Sequence, residues 1–151
     1  MNLYLIRHGE AVPEKDDPAR PLSEKGRAQV KDIAQFLKEG EINLGEIWVS
    51  DKLRAGETAE MLANDGRANK ILQKTGLSPN DPIIEILEDI YAADKDIAIV
   101  GHLPFLSKLL SQILTSDEFC DIAKFEEAGM VCLERGELGW QIEWVVSPKI
   151  I

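Results

Sequence analysis

The sequence predicts an α/β fold: a mostly parallel central sheet with helices on both faces and a C-terminal antiparallel hairpin. Three observations carry that expectation. Short apolar runs alternate with stretches of helical periodicity as far as Leu114, the pattern of strand-to-helix crossovers. The run from Asp96 to Val100 is continuously apolar after its first residue, as suits a strand covered on both faces of a parallel sheet. Beyond it, two strand-like runs follow one another with only a glycine-bearing turn between them, which signals a hairpin.

The elements follow in order. Asn2 to Ile6 is rich in strand formers and ends in Arg7-His8-Gly9, where glycine permits a sharp change of direction. Ala11 to Leu22 carries three prolines and reads as a loop over that strand end. Ser23 suits an N-cap, after which Val30, Ile33, Ala34 and Leu37 repeat at helical spacing up to Gly40. Glu46 to Ser50 is a second strand, and Asp51 is expected to cap a helix reaching Ala63, with Arg54 and Thr58 on one face. Lys70 to Gln73 reads as a short strand before a Gly-Leu-Ser-Pro-Asn-Asp loop. Pro82 is expected in the first turn of a helix lined by Ile83, Ile86, Leu87, Ile90 and Tyr91. After the strand at Asp96 to Val100 come Gly101-His102 and, past Pro104, a helical stripe of Leu106, Leu109, Leu110, Ile113 and Leu114. Met130 to Glu134 and Trp140 to Val146 are the final strands, joined through Gly136 and Gly139.

At 151 residues without a linker, internal repeat or low-complexity tract, residues 1–151 are expected to form one domain. The 17 basic and 27 acidic side chains give a net charge of −10, which repels nucleic acid and anionic lipid at long range. Neither partner is expected, and any anion site must be compact. The two cysteines, Cys120 and Cys132, suit a reducing cytoplasm and form no metal-spaced cluster. The opening residues lack a basic n-region, and no apolar run approaches a membrane span, so a cytoplasmic location is expected.

The chain has two histidines, and each abuts a glycine at the end of an expected inner strand. In open α/β sheets ligands gather at the carboxyl ends of the strands, where His8, Arg54 and His102 all fall. A histidine that attacks phosphorus needs one neutral ring nitrogen aimed at the phosphate and the other held by an acceptor. Phosphoryl transfer otherwise asks for positioning and charge neutralisation, which the planar forks of Arg7 and Arg54 can supply. Any one of these residues alone would read as an ordinary loop or surface group. Their conjunction is what signals a site.

At these residues the sequence resembles the histidine phosphatase superfamily, and in particular its small branch of SixA-type phosphohistidine phosphatases. The family's Arg-His-Gly motif matches Arg7, His8 and Gly9, and its Arg-Pro-Leu-Ser/Thr-x-x-Gly segment matches Arg20 to Ser23 and Gly26. Its Ser-x-x-x-Arg-Ala-x-x-Thr-Ala motif matches Ser50, Arg54, Ala55, Thr58 and Ala59, and its Gly-His-x-Pro matches Gly101, His102 and Pro104. The resemblance implies a phosphoglycerate mutase-like fold, His8 as the phosphate-accepting nucleophile, and Arg7, Arg54 and His102 as the rest of the phosphate pocket, with Gly9 beside them and Arg20 at the rim. Two departures stand out. Asp51 replaces a proline common after the motif's serine, and the long insertions and glutamate general acid of larger relatives are missing. Asn80, Asp81 and Glu10 are the substitutes on offer for that acid.

The resulting expectation is a phosphatase needing no metal or cofactor, which forms a phospho-His8 intermediate and then hydrolyses it. With no segment long enough to serve as a lid, the substrate is expected to be bulky: phosphohistidine in a partner protein, such as a phosphotransfer domain or a phosphocarrier. A general small-molecule phosphomonoesterase using the same residues and a noncatalytic phosphate-binding module are the alternatives. Activity is expected to fall at low pH as His8 protonates, and at higher pH if His102 acts as a cation.

Overall fold

The computed structural model describes residues 1–151, apart from the side chain of Asp65. Six strands form one sheet: β1 (Asn2–Arg7), β2 (Glu46–Val49), β3 (Lys70–Gln73), β4 (Ile97–Gly101), β5 (Met130–Gly136) and β6 (Gly139–Val146). Four α-helices accompany them: α1 (Glu24–Glu39), α2 (Leu53–Ala63), α3 (Ile84–Ala92) and α4 (Phe105–Thr115). The spatial order is β3-β2-β4-β1-β5-β6. β3, β2, β4 and β1 run parallel, while β5 is antiparallel to β1 and to β6. The chain therefore has the α/β class, parallel centre and closing hairpin expected of it.

Side-chain alternation along the strands builds two cores, because successive residues of a strand face opposite sides. From β1, Tyr4 and Ile6 join Ile47, Val49, Ala98 and Val100 beneath α1 and α2, with Val30, Ile33, Leu37, Ala55, Ala59 and Leu62. Leu3 and Leu5 face the other way, with Ile97 and Ile99, onto Ile86, Leu87 and Ile90 of α3 and Phe105, Leu106, Leu109 and Leu110 of α4. All five residues of β4 are buried, as the continuous apolar run anticipates.

Capping departs from expectation at two helices. Ser23 does cap α1, accepting from the Gly26 N–H. Asp51, by contrast, does not cap α2: the helix starts two residues later, at Leu53, behind Lys52 and without a side-chain cap. Ser50 instead accepts the Lys52 N–H at 3.4 Å. Nor is Pro82 in the first turn of α3, which starts at Ile84 behind Ile83. An Asp81 carboxylate that accepts the Ser78 N–H at 2.9 Å holds the preceding loop as a local turn and delays the helix. Tyr91, expected on the packed face, is half exposed, because α3 buries only a stripe one residue wide at that end.

No helix among the described residues is long and apolar enough to cross a membrane.

Candidate active site

β1 ends at Arg7 and β4 at Gly101, and these two residues are register partners. The next residue of each strand is a histidine, so strand pairing alone brings the rings together. Their centroids are 5.0 Å apart, tilted by 58°. The ladder runs one bond further, from the His8 N–H to the Gly101 carbonyl at 3.1 Å, which fixes where His8 sits. β2 lies on the other side of β4, and the turn after it leads into α2 carrying Arg54. Arg54 Nε donates to His8 Nε2 at 3.4 Å. Three adjacent strand ends thus converge His8, His102 and Arg54, at the place where parallel sheets present their ligand sites.

The hydrogen bonds fix the state of His8. Its Nδ1 lies 2.6 Å from the Gly9 carbonyl, and a carbonyl can only accept, so Nδ1 carries the proton and Nε2 keeps its lone pair. His8 is buried, and its pKa is pushed down to about 4 by desolvation and by the Arg54, Arg7 and Arg20 charges, against a smaller upward pull from the Gly9 bond. His102 falls further, to about 3, through burial and its proximity to His8, Arg54, Lys52 and Arg20. Both rings are therefore neutral at neutral pH. Of the two roles open to His102, cation or neutral donor, burial beside two guanidinium groups disfavours the cation. His102 can still act as a neutral donor. Its Nε2 lies 2.7 Å from Ser50 Oγ, while its Nδ1 is buried without a partner.

The arginines differ in their surroundings. Arg54 is desolvated and feels Arg20, so its pKa lies below the usual guanidinium value. Arg7 is anchored by Nη1 donating to the Phe125 carbonyl at 2.9 Å, and its backbone N–H reaches the Gly129 carbonyl. Arg20 adopts a left-handed backbone, φ 49°, an uncommon state for a side chain of its size. Its Nε donates to the Val12 carbonyl at 3.2 Å, and its charge reaches His8, Arg54 and His102.

Gly9 serves this arrangement through its backbone. Its carbonyl accepts the His8 Nδ1–H, and its N–H donates to Thr58 Oγ1 at 3.2 Å. A Cβ at Gly9 would lie 2.8 Å from the Gly26 carbonyl oxygen and from Val30 Cγ2, so glycine is what lets α1 close on the loop. Thr58 in turn donates to the Arg54 carbonyl at 2.8 Å, a strut joining α2 to the His8 loop.

None of the three substitutes for a general acid has a hydrogen bond to His8, Arg54 or His102. Glu10 accepts from Ser23 Oγ at 2.6 Å beside the start of α1. Asn80 and Asp81 line a cavity of about 410 Å³ with Ile83, Lys108, Gln112 and Glu118, which neither histidine nor Arg54 borders. Among the described residues, no group of three or more His, Cys, Asp or Glu is placed to hold a metal.

Ser50 and Thr58 have contacts at the site that the sequence reading left without a role. The signal was available: both are fixed positions of the Ser-x-x-x-Arg-Ala-x-x-Thr-Ala motif, and Thr58 shares a helix face with Arg54.

The fold and the convergent strand ends define an α/β protein with two histidines and an arginine gathered at adjacent strand ends. The chain belongs to the histidine phosphatase superfamily (branch 1), whose family model matches residues 3–78. An uncharacterized protein of Picosynechococcus is 33% identical over 145 residues, covering 90% of this chain and 86% of that one. Phosphohistidine phosphatase SixA of Escherichia coli K12 is 24% identical over 121 residues, or 75% of this chain and 74% of that protein. A solved structure of the protein histidine phosphatase SixA complexed with tungstate superposes with a TM-score of 0.84 at 21% identity, covering 99% of this chain and 98% of the other.

Proposed function

We propose that this protein is a phosphohistidine phosphatase, acting on a phosphorylated histidine of a partner protein through His8, with Arg7, Arg54 and His102 binding the phosphoryl group. The observation that carries the reading is the state of His8: neutral, with its proton on Nδ1 and its Nε2 lone pair turned toward Arg54, whose Nε donates to it at 3.4 Å. Simple anion binding needs the guanidinium groups but no nucleophile prepared in this way. The reading is further supported by the likeness to a relative named for that activity.

In the first step the Nε2 lone pair of His8 attacks phosphorus, the P–N bond of the substrate breaks, and the departing imidazole, already protonated on its other ring nitrogen, leaves neutral with the electron pair of that bond. Arg7 and Arg54 neutralise charge on the equatorial oxygens, where preorganised donors have most effect. The Gly9 carbonyl meanwhile stabilises positive charge growing on the His8 ring, because it already accepts the Nδ1 proton. In the second step water attacks phospho-His8, the P–N bond to His8 breaks, and inorganic phosphate leaves with the lone pair restored to Nε2. No bridging carboxylate is needed in either step.

The choice of phosphohistidine rests on leaving groups. An alkyl phosphate expels a basic alkoxide, which generally requires an enzyme proton donor. Glu10 and Asp81 are hydrogen-bonded to Ser23 and Ser78, and Asn80 carries an amide, which has no acidic proton to give near neutrality. An imidazole, whose pKa is about 6.5, departs neutral without such help. Phosphohistidine and aryl phosphates should turn over, and phosphoserine and sugar phosphates should react slower by roughly 10² to 10⁴, the usual value of acid catalysis. Steady-state assays on phosphohistidine proteins, phosphoserine and an aryl phosphate, with and without a chelator, test this. Equal kcat/KM for phosphoserine and phosphohistidine would overturn the assignment in favour of a general phosphomonoesterase.

A further inference from the structure

We infer that Ser50 is a positioning residue that holds His102 as its Nδ1–H tautomer, so that the ring donates to the phosphoryl group from Nδ1. The inference deepens the phosphatase reading, in which His102 contacts the phosphoryl oxygens. It starts from Ser50 Oγ, 2.7 Å from His102 Nε2, with both residues 2% exposed.

Two arrangements of protons fit that distance. In one, His102 Nε2–H donates to the hydroxyl oxygen. The Ser50 proton then needs another acceptor, and His102 Nε2 is the sole acceptor within reach among the described residues. Nδ1 would meanwhile be a buried lone pair without a donor. In the other arrangement the hydroxyl donates to Nε2 while its oxygen accepts the Lys52 N–H at 3.4 Å. The Ser50 proton, the Ser50 oxygen and His102 Nε2 are then all paired, and Nδ1 is left as a buried N–H without a partner. A buried donor left empty in the free protein is what a site for an anion presents, since satisfying buried polar groups is otherwise the rule. The neutrality of the ring, with its pKa near 3, makes the choice of tautomer decisive.

The two histidines are thereby set from opposite sides. His8 has an acceptor on Nδ1, which leaves a lone pair on Nε2. His102 has a donor on Nε2, which leaves a proton on Nδ1. The same tautomer supplies a nucleophile in one ring and a hydrogen-bond donor in the other.

Nitrogen-15 NMR of histidine-labelled protein reads this directly, because the chain has two histidines and the His8→Ala variant assigns the one that remains. His102 should be protonated at Nδ1 and hydrogen-bonded at Nε2, in the free protein and with tungstate. Ser50→Ala should leave a tautomer mixture and weaken tungstate binding about 10- to 100-fold, the range typical of partners that orient a functional imidazole. Ser50→Thr should restore both. Nε2–H in the wild type, or an unchanged tautomer in Ser50→Ala, overturns the inference. Should Ser50→Ala not fold, the wild-type spectrum alone decides. Failure to turn over phosphohistidine would remove the substrate reading and leave this result standing.

Discussion

At His8 the two ring nitrogens have separate tasks, and the Gly9 carbonyl is what separates them. With the ring's pKa near 4, the nucleophile is neutral through the physiological range. In kcat/KM against pH, the acid limb set by the free enzyme should therefore lie near pH 4 rather than 6.5. A neutral His102 contributes no alkaline limb between pH 7 and 9; such a limb, absent in a His102→Asn variant, would show that the ring works as a cation. His8→Ala should abolish turnover while tungstate binding, measured by calorimetry, largely survives through Arg7, Arg54 and His102. Arg54→Ala removes a donor aimed at developing charge, which typically costs about 2.7 to 4 kcal/mol of transition-state stabilisation, or 10² to 10³ in rate. If single-turnover rates of Arg54→Ala stay within threefold of wild type, Arg54 does not serve the transferring group.

Among the elements, α2 matters most to the site because it carries Arg54 and is tied by Thr58 to the His8 loop. Thr58→Val keeps the shape but leaves the buried Gly9 N–H without its acceptor, a loss of about 1 to 3 kcal/mol. Thermal unfolding should show it directly, and the rate should fall as the loop loosens; an unchanged midpoint would mean that Gly9 finds water instead. The strands were legible in the sequence to within a residue or two, because strands buried on both faces leave short continuous apolar runs, as after Asp96. Helix starts were less so. Asp51 and Pro82 are sound capping signals taken alone, yet the Ser50 turn and the Asp81 turn compete for the same backbone and win. The site was legible as a set of motif positions, since strand order places His8, Arg54 and His102 at neighbouring ends. The neutral state of His102 was not, because it depends on burial beside His8 and on the charges of Arg54 in α2, Lys52 just before it and Arg20 in the long loop.

Over the whole molecule, the buried histidines link stability to acid. Each has a folded pKa below the unfolded value of about 6.5, so the unfolded chain binds more protons and stability declines as pH falls from about 6.5 toward 4 and 3. A second window belongs to Glu46. Burial raises its pKa, but bonds from Trp48, Lys95 and Lys70 overcome that and bring it to about 2, so its contribution is present above about 4.5 and lost below. Melting curves of wild type and His102→Gln should diverge between pH 6.5 and 4, and parallel curves would contradict the burial of a neutral ring. The position of β1 has a consequence for synthesis. The strand that delivers His8 lies between β4 and β5, pairing Leu3 with Ile97 and with Leu133, and the Arg7 side chain is held by Phe125. β1 precedes every other strand of the sheet in the chain and must therefore wait for β5, which follows all the parallel ones. Until then an apolar strand with two open edges is at large in the cell, with none of the partners that make its terminal histidine reactive. A nascent or truncated chain should be a client for chaperones and inert toward phosphoryl groups, so the chemistry switches on only when the hairpin closes.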